Sequence, residues 1–445
     1  PLVVYGSKQV GKTYTVLEFG EKNYDNVVYI DANDDVVLSQ NLKKEKTMDS
    51  VISYLSSYTQ SQISKNDTLV VIDNVNSVDV VNAIKIFGKF KNDYHIIIIT
   101  SLRENLSKFK GMELQFKSML PMDFEEFLIA LGKEELIEFI KISFKNGTKM
   151  PFHSLAMEYY DTYLETGGMP EAVFHVSKGG SMLFLESIFD KIIDTYKKEM
   201  SMQDNLIDII RSNEVYDSIS LQLEKDNKKF QYGLIKDGGR SKEYETALNF
   251  LHNNGFIYKC YKLKDVKSPL YTFKDKDSFK VYMNDTGLLF KKMYLNKNKL
   301  DAKYKAILYE NSVAIALINI GFSLQYYQSM GKAELDFVIQ TRTGSIIPIE
   351  LVPMNKTKSK SLALFIEKYK PACAFRITGD NFCVKKNVRL QLEEEKSFHE
   401  VDDTLLFLKR VYFSTKFAGN NILIQWFDEL KKSVYINAYS RRIVS

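Results

Sequence analysis

A glycine-rich loop near the start of the chain constrains its fold more than any other feature. Residues 6–13 read Gly-Ser-Lys-Gln-Val-Gly-Lys-Thr and match the Walker A pattern in full. The apolar, β-prone residues 2–5 precede this loop, and a helical stretch to Phe19 follows it. A strand, the loop and a helix in this order are the context in which a phosphate loop folds, and a Gly-rich turn with a solvated lysine is the weaker interpretation.

The residue types in this loop suit a nucleotide. Glycines let main-chain N–H groups converge on phosphate oxygens just before a helix N-terminus, which carries partial positive charge. Lys12 would supply a positive charge to the β- and γ-phosphates, and the Thr13 hydroxyl would complete a Mg²⁺ shell. We therefore expect ATP and Mg²⁺ as cofactors. The expected nucleotide-binding residues are Gly6, Ser7, Lys8, Gln9, Val10, Gly11, Lys12 and Thr13.

Three further β-branched runs, at residues 27–31, 69–73 and 95–100, alternate with helical stretches such as 48–58. Unbroken apolar strands between helices indicate an α/β fold, with a parallel sheet covered on both faces.

Two strand ends carry further candidate residues. Asp73 ends the third strand, where an Asp holds Mg²⁺ in P-loop proteins. Asn74 follows it and has no carboxylate, so it can orient a water but cannot act as a general base, a loss worth about 10²–10⁴ in rate. Thr100 and Ser101, at the end of the fourth strand, are either γ-phosphate sensors or ordinary strand-end hydroxyls.

Composition and length bound the remaining possibilities. A chain of 445 residues with 45% hydrophobic and 26% charged residues can bury several cores, and its 21 Gly and 8 Pro are too few for a disordered or collagen-like protein. Apolar runs such as 96–99 are far shorter than the ~20 residues that span a bilayer, so we expect no membrane insertion. Three cysteines without metal-site spacing favour a reducing cytoplasm. Because the chain opens at Pro1, close to the loop, we expect that its N-terminus is incomplete.

Several short segments, taken in order, are similar to a family of prokaryotic AAA-like P-loop ATPases whose C-terminal domain of unknown function resembles restriction endonucleases. The matching segments are 6–13, 71–73, 120–127 (Leu-Pro-Met-Asp-Phe-Glu-Glu-Phe), 167–172 (Gly-Gly-Met-Pro-Glu-Ala), 279–289, 310–311, 334–337 and 349–350. The resemblance implies a P-loop NTPase sheet, a helical lid, a winged-helix module and a C-terminal restriction-endonuclease-like α/β domain. The implied boundaries are 1–118, 119–200, 201–297 and 298–390, with an extension of uncertain role at 391–445.

The chain departs from the family pattern at three points. Asn74 stands where the family usually has Glu, and Gly111-Met112 stands where it has Gly-Arg. Thr100-Ser101 replaces the usual Gly-Ser-Ser. The first two changes remove a general base and a cation near the phosphates, so both predict slow hydrolysis.

Three carboxylates in the C-terminal region have the order of a PD-(D/E)xK nuclease core. Glu310 lies on the predicted helix 308–320, and Asp336 and Glu350 lie on the predicted strands 335–339 and 346–351. The position two residues after the last acid is Val352 instead of Lys, which makes the site degenerate. Nearby lysines could take the place of the missing catalytic Lys. Because metal catalysis needs a complete set of ligands, we expect a nuclease-like fold without nuclease activity. The nearby lysines are Lys356, Lys358 and Lys360.

Three short helical segments between residues 205 and 295, followed by a β-prone pair at 256–260 and 269–273, also predict a winged helix with a hairpin. Basic residues near it raise the question of DNA binding. They are Lys225, Lys228, Lys229, Lys236, Arg240 and Lys242. Interspersed acids dilute this charge, and the net charge is only +5, so a solvated face is the stronger interpretation and DNA contact the alternative.

These observations favour an ATP-binding, nucleotide-dependent switch with weak or slow hydrolysis. One alternative is a competent ATPase that acts on DNA or a protein partner, with a base supplied from elsewhere. The other is an ATP-gated, metal-dependent nuclease. The sequence does not fix the oligomeric state or the target.

Overall fold

The computed structural model of the chain describes residues 1–33, 36–45, 47–75, 78–89, 94–101, 103–109, 114–293, 302–329, 333–352 and 360–381. The chain divides into two compact units. The first is built mainly from Pro1–Leu120, and the second from Pro121–His252 together with Phe256–Thr415. The predicted C-terminal extension at 391–445 lies outside the described residues.

The first unit contains a five-stranded parallel sheet. Its strands are β1 (Leu2–Tyr5), β2 (Asn26–Asp31), β3 (Thr68–Asp73), β4 (His95–Thr100) and β5 (Gln115–Ser118), in the order β2-β3-β4-β1-β5. All six residues of β3 are buried, as expected for a strand with both faces covered. The α/β prediction is confirmed, and β5 is an edge strand that the sequence patterns did not reveal.

Helices and one 3₁₀ segment connect these strands. They are α1 (Lys12–Asn23), α2 (Val36–Leu42), α3 (Met48–Thr59), α4 (Val78–Lys89) and the 3₁₀ helix Arg103–Phe109. Thr47 begins α3 with a capping box in which its side chain and that of Ser50 each accept from the other residue's main-chain N–H. Because β4 lies between β1 and β3, the ends of three neighbouring strands carry the loop and the polar residues predicted for the site.

The second unit begins with a helical region. Its helices are α5 (Phe124–Ala130), α6 (Glu134–Asn146), α7 (His153–Thr166), α8 (Pro170–Ser177), α9 (Met182–Met200), α10 (Leu206–Glu224), α11 (Ser241–Asn253), α12 (Thr286–Met293), α13 (Ala302–Asn319) and α14 (Lys360–Tyr369). Short 3₁₀ turns occur at Tyr232–Leu234 and Leu270–Phe273. Asp123 caps α5 and exchanges hydrogen bonds with Glu126, which explains the acidic pair at the start of that helix.

Two small sheets complete the second unit. The strands are β6 (Ile257–Leu263), β7 (Lys274–Met283), β8 (Gln325–Gln328), β9 (Glu334–Leu335), β10 (Phe337–Gln340), β11 (Ile346–Leu351) and β12 (Phe375–Ile377). They form the sheets β7-β6-β8-β9 and β10-β11-β12. The first sheet draws strands from both the predicted winged-helix segment and the predicted nuclease-like segment.

Two predicted strands differ from the structure. Residues 269–273, predicted to be the second strand of a hairpin, form a 3₁₀ turn, and the strand follows as β7. The predicted strand at 335–339 breaks at Asp336, between β9 and β10. The Asp336 carboxylate accepts a hydrogen bond from the main-chain N–H of Leu351, so this residue bends out of the ladder to contact β11.

Candidate nucleotide site

The loop between β1 and α1 is held in an unusual backbone conformation. Gln9 and Gly11 have positive φ angles of 64° and 88°, and Gly11 ends the loop directly before α1. When residues with positive φ alternate with residues with negative φ, successive main-chain N–H groups point inward and form a concave site for anions. The helix begins at Lys12, so the loop leads into a helix N-terminus as the sequence predicts.

Gly6 shows why the loop needs a glycine at its start. A Cβ atom at this position would lie 2.0 Å from the carbonyl oxygen of Met119. That carbonyl belongs to the chain just after β5, where the Met119 N–H donates to the Tyr5 carbonyl at 2.7 Å. The sheet edge therefore leaves no room for a side chain at position 6.

The Lys12 side chain folds back into the loop. Its Nζ donates to the carbonyls of Gly6 and Ser7, both at 2.8 Å, and the residue is buried. An ammonium group held by two carbonyls inside a concave loop gives that loop a fixed positive charge. This is the place where the phosphates of a nucleotide would lie.

Thr13 and Asp73 meet at the end of β3. The Thr13 hydroxyl donates to Asp73 Oδ2 at 2.5 Å, and the Tyr29 hydroxyl donates to the same oxygen at 3.2 Å. Burial, followed by the charges of Asp73 and Asp31, raises the pKa of Tyr29, so this phenol stays protonated. The other oxygen of Asp73 accepts from the Asn74 N–H at 2.7 Å.

The Asn74 amide is engaged at both of its polar atoms. Its Nδ2 donates to Asp31 Oδ1 at 3.0 Å, and its Oδ1 accepts from Lys8 Nζ at 3.3 Å. Asn74 has a φ of 54°, in the left-handed region that Asn tolerates better than most residues. The amide thus connects the phosphate loop to the end of β2.

The two candidate sensor residues lie at the end of β4. Thr100 is fully buried and Ser101 is nearly so, and Thr100 pairs in register with Tyr5 of β1. The structure therefore brings Thr100 next to the strand that precedes the loop. A role as a γ-phosphate sensor stays a prediction.

In the second unit, three segments of the family resemblance meet at one place, here called the motif junction: Met122, Gly167, Gly168, Asp285 and Gly287. The Met122 N–H donates to the Gly168 carbonyl at 2.7 Å, and a Cβ on Gly168 would lie 2.0 Å from the Met122 carbonyl oxygen. The Asp285 carboxylate accepts from the N–H of Gly168 at 2.7 Å. These contacts join three distant segments of main chain.

Asp285 is a buried acid with several donors. Burial raises its pKa to about 6, although hydrogen bonds from the N–H groups of Gly168, Leu288 and Gly287 oppose that shift. Desolvation of the carboxylate outweighs the hydrogen bonds because all of them come from neutral donors.

The predicted nuclease-like acids are not arranged as a metal site. Glu310 is buried, forms ion pairs with Lys228 and Lys280, and accepts from the Tyr282 hydroxyl at 2.6 Å. Burial raises the pKa of Glu310, but the two ammonium groups outweigh it and bring the pKa below its usual value. Lysine ammonium groups thus occupy the positions at this carboxylate that a divalent cation would need.

Lys280 is the centre of this cluster. Its Nζ lies 2.5 Å from Glu334 Oε1, 3.6 Å from Glu310 Oε1 and 4.9 Å from the centroid of the Tyr326 ring. Burial alone would lower the pKa of Lys280, yet the nearby carboxylates raise it, so the side chain is a buried cation. Lys280 could not be predicted from the nuclease-like pattern, because it lies on β7 and not near Val352.

The other two acids, Asp336 and Glu350, lie in different environments. Burial and the charge of Glu310 raise the pKa of Asp336 to about 7. Glu350 is only partly buried and pairs in register with Arg376 of β12. Within the described ranges, no group of three or more His, Cys, Asp or Glu side chains could hold a metal ion. Of the lysines that could take the place of the missing catalytic Lys, Lys356 and Lys358 lie outside the described residues.

The basic residues considered for DNA binding do not share one role. Lys228 points inward to Glu310 instead of outward to solvent. The other five are exposed or partly exposed, with acidic neighbours such as Glu243, which accepts from the Arg240 N–H. The choice between a solvated face and DNA contact stays a prediction.

Comparison with known families accounts for most of the chain in three pieces. Residues 1–128 match the family model of an AAA domain, residues 157–299 a domain of unknown function (DUF8612), and residues 305–395 another domain of unknown function (DUF4143). The N-terminal region is a P-loop, AAA-like module. This match supports a nucleotide-binding, ATPase-like function. No curated protein matches the chain significantly.

Two solved structures resemble the chain distantly. A Walker-type ATPase of Pyrococcus abyssi shares 14% identity over 66% of this chain and 91% of its own, with a TM-score of 0.38. Drosophila ORC, solved bound to DNA, shares 11% identity over 63% of this chain and 85% of its own, with a TM-score of 0.24. Neither similarity is strong enough to support a functional argument.

The end of β3 offers oxygen ligands that would suit Mg²⁺. Thr13 and Asp73 present oxygen atoms side by side, and oxygens are the ligands that Mg²⁺ prefers. Two further residues of this site, Tyr29 and Asp31, lie on β2 and were not predicted from the sequence. The one sequence pattern that pointed to Asp31 was its position at the end of a predicted strand, as Asp73 is at the end of the following strand.

Among the helices that the structure describes, none is long and apolar enough to cross a membrane.

Proposed function

We propose that this chain is an ATP-binding, AAA-like protein that works as a nucleotide-dependent switch and hydrolyses ATP slowly. The observation that carries the proposal is the Lys12 ammonium, held by the carbonyls of Gly6 and Ser7 inside a loop that leads into α1. An ATP phosphate would replace those two carbonyls as the partner of Lys12, because a charged acceptor binds an ammonium more strongly than a neutral one.

Four kinds of group would hold the nucleotide and its metal. The main-chain N–H groups of residues 6–13 would bind phosphate oxygens, and Lys12 would pair with the β- and γ-phosphates. Thr13 and Asp73 would hold Mg²⁺, which would supply positive charge to neutralise the phosphates. Thr100 would lie near the γ-phosphate.

Slow hydrolysis follows from the residue at position 74. An amide cannot accept a proton from the attacking water, and Asn74 is already engaged by Asp31 and Lys8. A competent ATPase that acts on DNA or a protein partner remains the alternative, and it requires a carboxylate from another position. Nothing in the described residues favours the nuclease alternative, since Lys228 and Lys280 neutralise Glu310.

Equilibrium binding of ATP in the presence of Mg²⁺ tests the proposal. We expect Lys12→Ala to weaken binding at least about 10-fold, since it removes a charge-assisted contact worth about 1.5–3 kcal/mol. Lys22→Ala is the matched control, because Lys22 lies in the last turn of the same helix and pairs with Glu18. Equal affinity of Lys12→Ala and the unchanged chain would refute the proposal.

A further inference from the structure

Asp31 is a carboxylate at the nucleotide site that the Walker motifs do not include. It is the last residue of β2 and pairs in register with Asp73 of the neighbouring parallel strand β3. Side chains in register on parallel strands point to the same face of the sheet. Tyr29, two residues earlier and hence on that same face, reaches Asp73 with its hydroxyl, so Asp31 lies on the face that carries the site.

The contacts of Asn74 connect Asp31 to the phosphate loop. The Asn74 amide donates to Asp31 Oδ1 at 3.0 Å and accepts from Lys8 of the loop at 3.3 Å. The Asn33 N–H also donates to Asp31 Oδ1, at 3.0 Å. Two donors on one oxygen hold the carboxylate in a fixed orientation, which is what a positioned acid–base group requires.

The second oxygen of Asp31 is available. Among the residues that the structure describes, no donor contacts Asp31 Oδ2, and the side chain is exposed at the strand end. Asp73 cannot take the same role, because Thr13 and Tyr29 share one of its oxygens and the Asn74 N–H contacts the other. Tyr29 keeps its proton, and Asn74 has no basic atom.

We propose that Asp31 is the carboxylate that accepts a proton from the attacking water, in place of the acid absent at position 74. The inference rests on the proposed ATP binding and names the base for the slow turnover proposed there. The water oxygen forms a bond to the γ-phosphorus, the bond from that phosphorus to the β–γ bridging oxygen breaks, and ADP leaves with that oxygen. The water proton passes to Asp31 Oδ2. Asn74 is a positioning residue that holds the carboxylate.

The test uses a variant pair that moves the carboxylate without removing the hydrogen bond. Asp31→Asn replaces the base by an amide. The double variant Asp31→Asn with Asn74→Glu exchanges donor and acceptor, so that an amide at position 31 faces a carboxylate at position 74. Asp25→Asn is the matched control, since Asp25 is also exposed but lies before the other end of β2.

Both ATP affinity and multiple turnover are measured with Mg²⁺ on the full chain. We expect Asp31→Asn to bind ATP within about threefold of the unchanged chain, to lose about 10²-fold or more in turnover, and to regain at least about tenfold in the double variant. Asp25→Asn should match the unchanged chain in both measurements.

Several results would overturn the inference while ATP binding stands. These are unchanged turnover in Asp31→Asn, no recovery in the double variant, or an unchanged chain that binds ATP but never turns it over. A loss of ATP affinity as large as the loss of turnover would make Asp31 a binding residue and also overturn it. If Lys12→Ala binds ATP as well as the unchanged chain, the proposed function itself fails.

Discussion

The main-chain N–H of Gly168 donates to the buried carboxylate of Asp285 at 2.7 Å, across 117 residues of sequence. This hydrogen bond joins the Gly-Gly-Met-Pro segment to the start of α12. A Cβ at the preceding residue, Gly167, would lie 2.2 Å from the same carboxylate. The chain therefore uses two successive glycines to bring its backbone against one acid.

Asp285 predicts a pH dependence of stability. Its pKa in the folded chain is about 6, against an ordinary value of 3.8, so the folded state binds more protons between these values. The stability contributed by this group is therefore present at low pH and is lost as the pH rises from about 4 to about 6. Asp285→Asn removes the titrating carboxyl and with it this pH-dependent stabilisation. The substitution should therefore lower the thermal midpoint more at pH 4.5 than at pH 8.

The control for this prediction is Asp194→Asn, on the exposed side of α9. It should change the midpoint little at either pH. If the loss caused by Asp285→Asn is the same at pH 4.5 and pH 8, the carboxylate is not titrating in this range.

Gly168→Ala should destabilise the second unit by about 1–3 kcal/mol or more. Its Cβ would lie 2.0 Å from a main-chain oxygen of Met122, and backbone cannot move aside as a flexible side chain can. Gly233→Ala is the matched control, because a Cβ at that position meets no atom within 4 Å. Urea unfolding measures both. Equal midpoints would show that the close approach of Gly168 and Met122 is not needed for stability.

Lys280→Met should cost about 3–5 kcal/mol of stability. The change removes the buried cation that pairs with Glu334 and Glu310 and leaves their carboxylates without its charge. Lys276→Met, an exposed position on the same strand, should be nearly neutral. An unfolding midpoint for Lys280→Met equal to that of Lys276→Met would contradict a structural role for this ion cluster.

Thr13→Val should weaken ATP binding only when Mg²⁺ is present. The substitution keeps the size of the side chain but removes the hydroxyl that lies 2.5 Å from Asp73. With EDTA in place of Mg²⁺, the variant and the unchanged chain should bind ATP with similar affinity. The affinity is measured by titration under both conditions. A deficit of equal size with EDTA would mean that Thr13 acts on the nucleotide directly or on the loop, not through the metal.

The nucleotide loop could be predicted because all of its parts are contiguous. Eight consecutive residues supply the backbone turns, the ammonium group and the hydroxyl, and the flanking β-branched and helical patterns give their context. The strands β1 to β4 followed from unbroken apolar runs for the same local reason. Edge strand β5 was missed because its residues alternate between exposed and partly buried and carry a weak apolar pattern. The start of β7 was displaced because its first four residues, Lys-Asp-Lys-Asp, are all charged, although its last six are buried.

The acids of the C-terminal region show the opposite case. Their order along the chain suggested a metal site, yet Lys280 and Lys228 reach Glu310 from positions 30 and 82 residues away. The sequence shows which acids are present, but only the packing of β7 against α13 decides which charged side chains lie next to them.

The sequence by itself determined a phosphate loop between a strand and a helix, an α/β sheet, and the loss of a carboxylate at position 74. The tertiary structure alone decided that β2 lies beside β3, so that Asp31 meets Asn74 across 43 residues, and that Gly168 meets Asp285. The physical reason is that backbone conformation and hydrophobic periodicity act over neighbouring residues, whereas pairing of distant strands and burial of distant charges depend on how the whole chain packs.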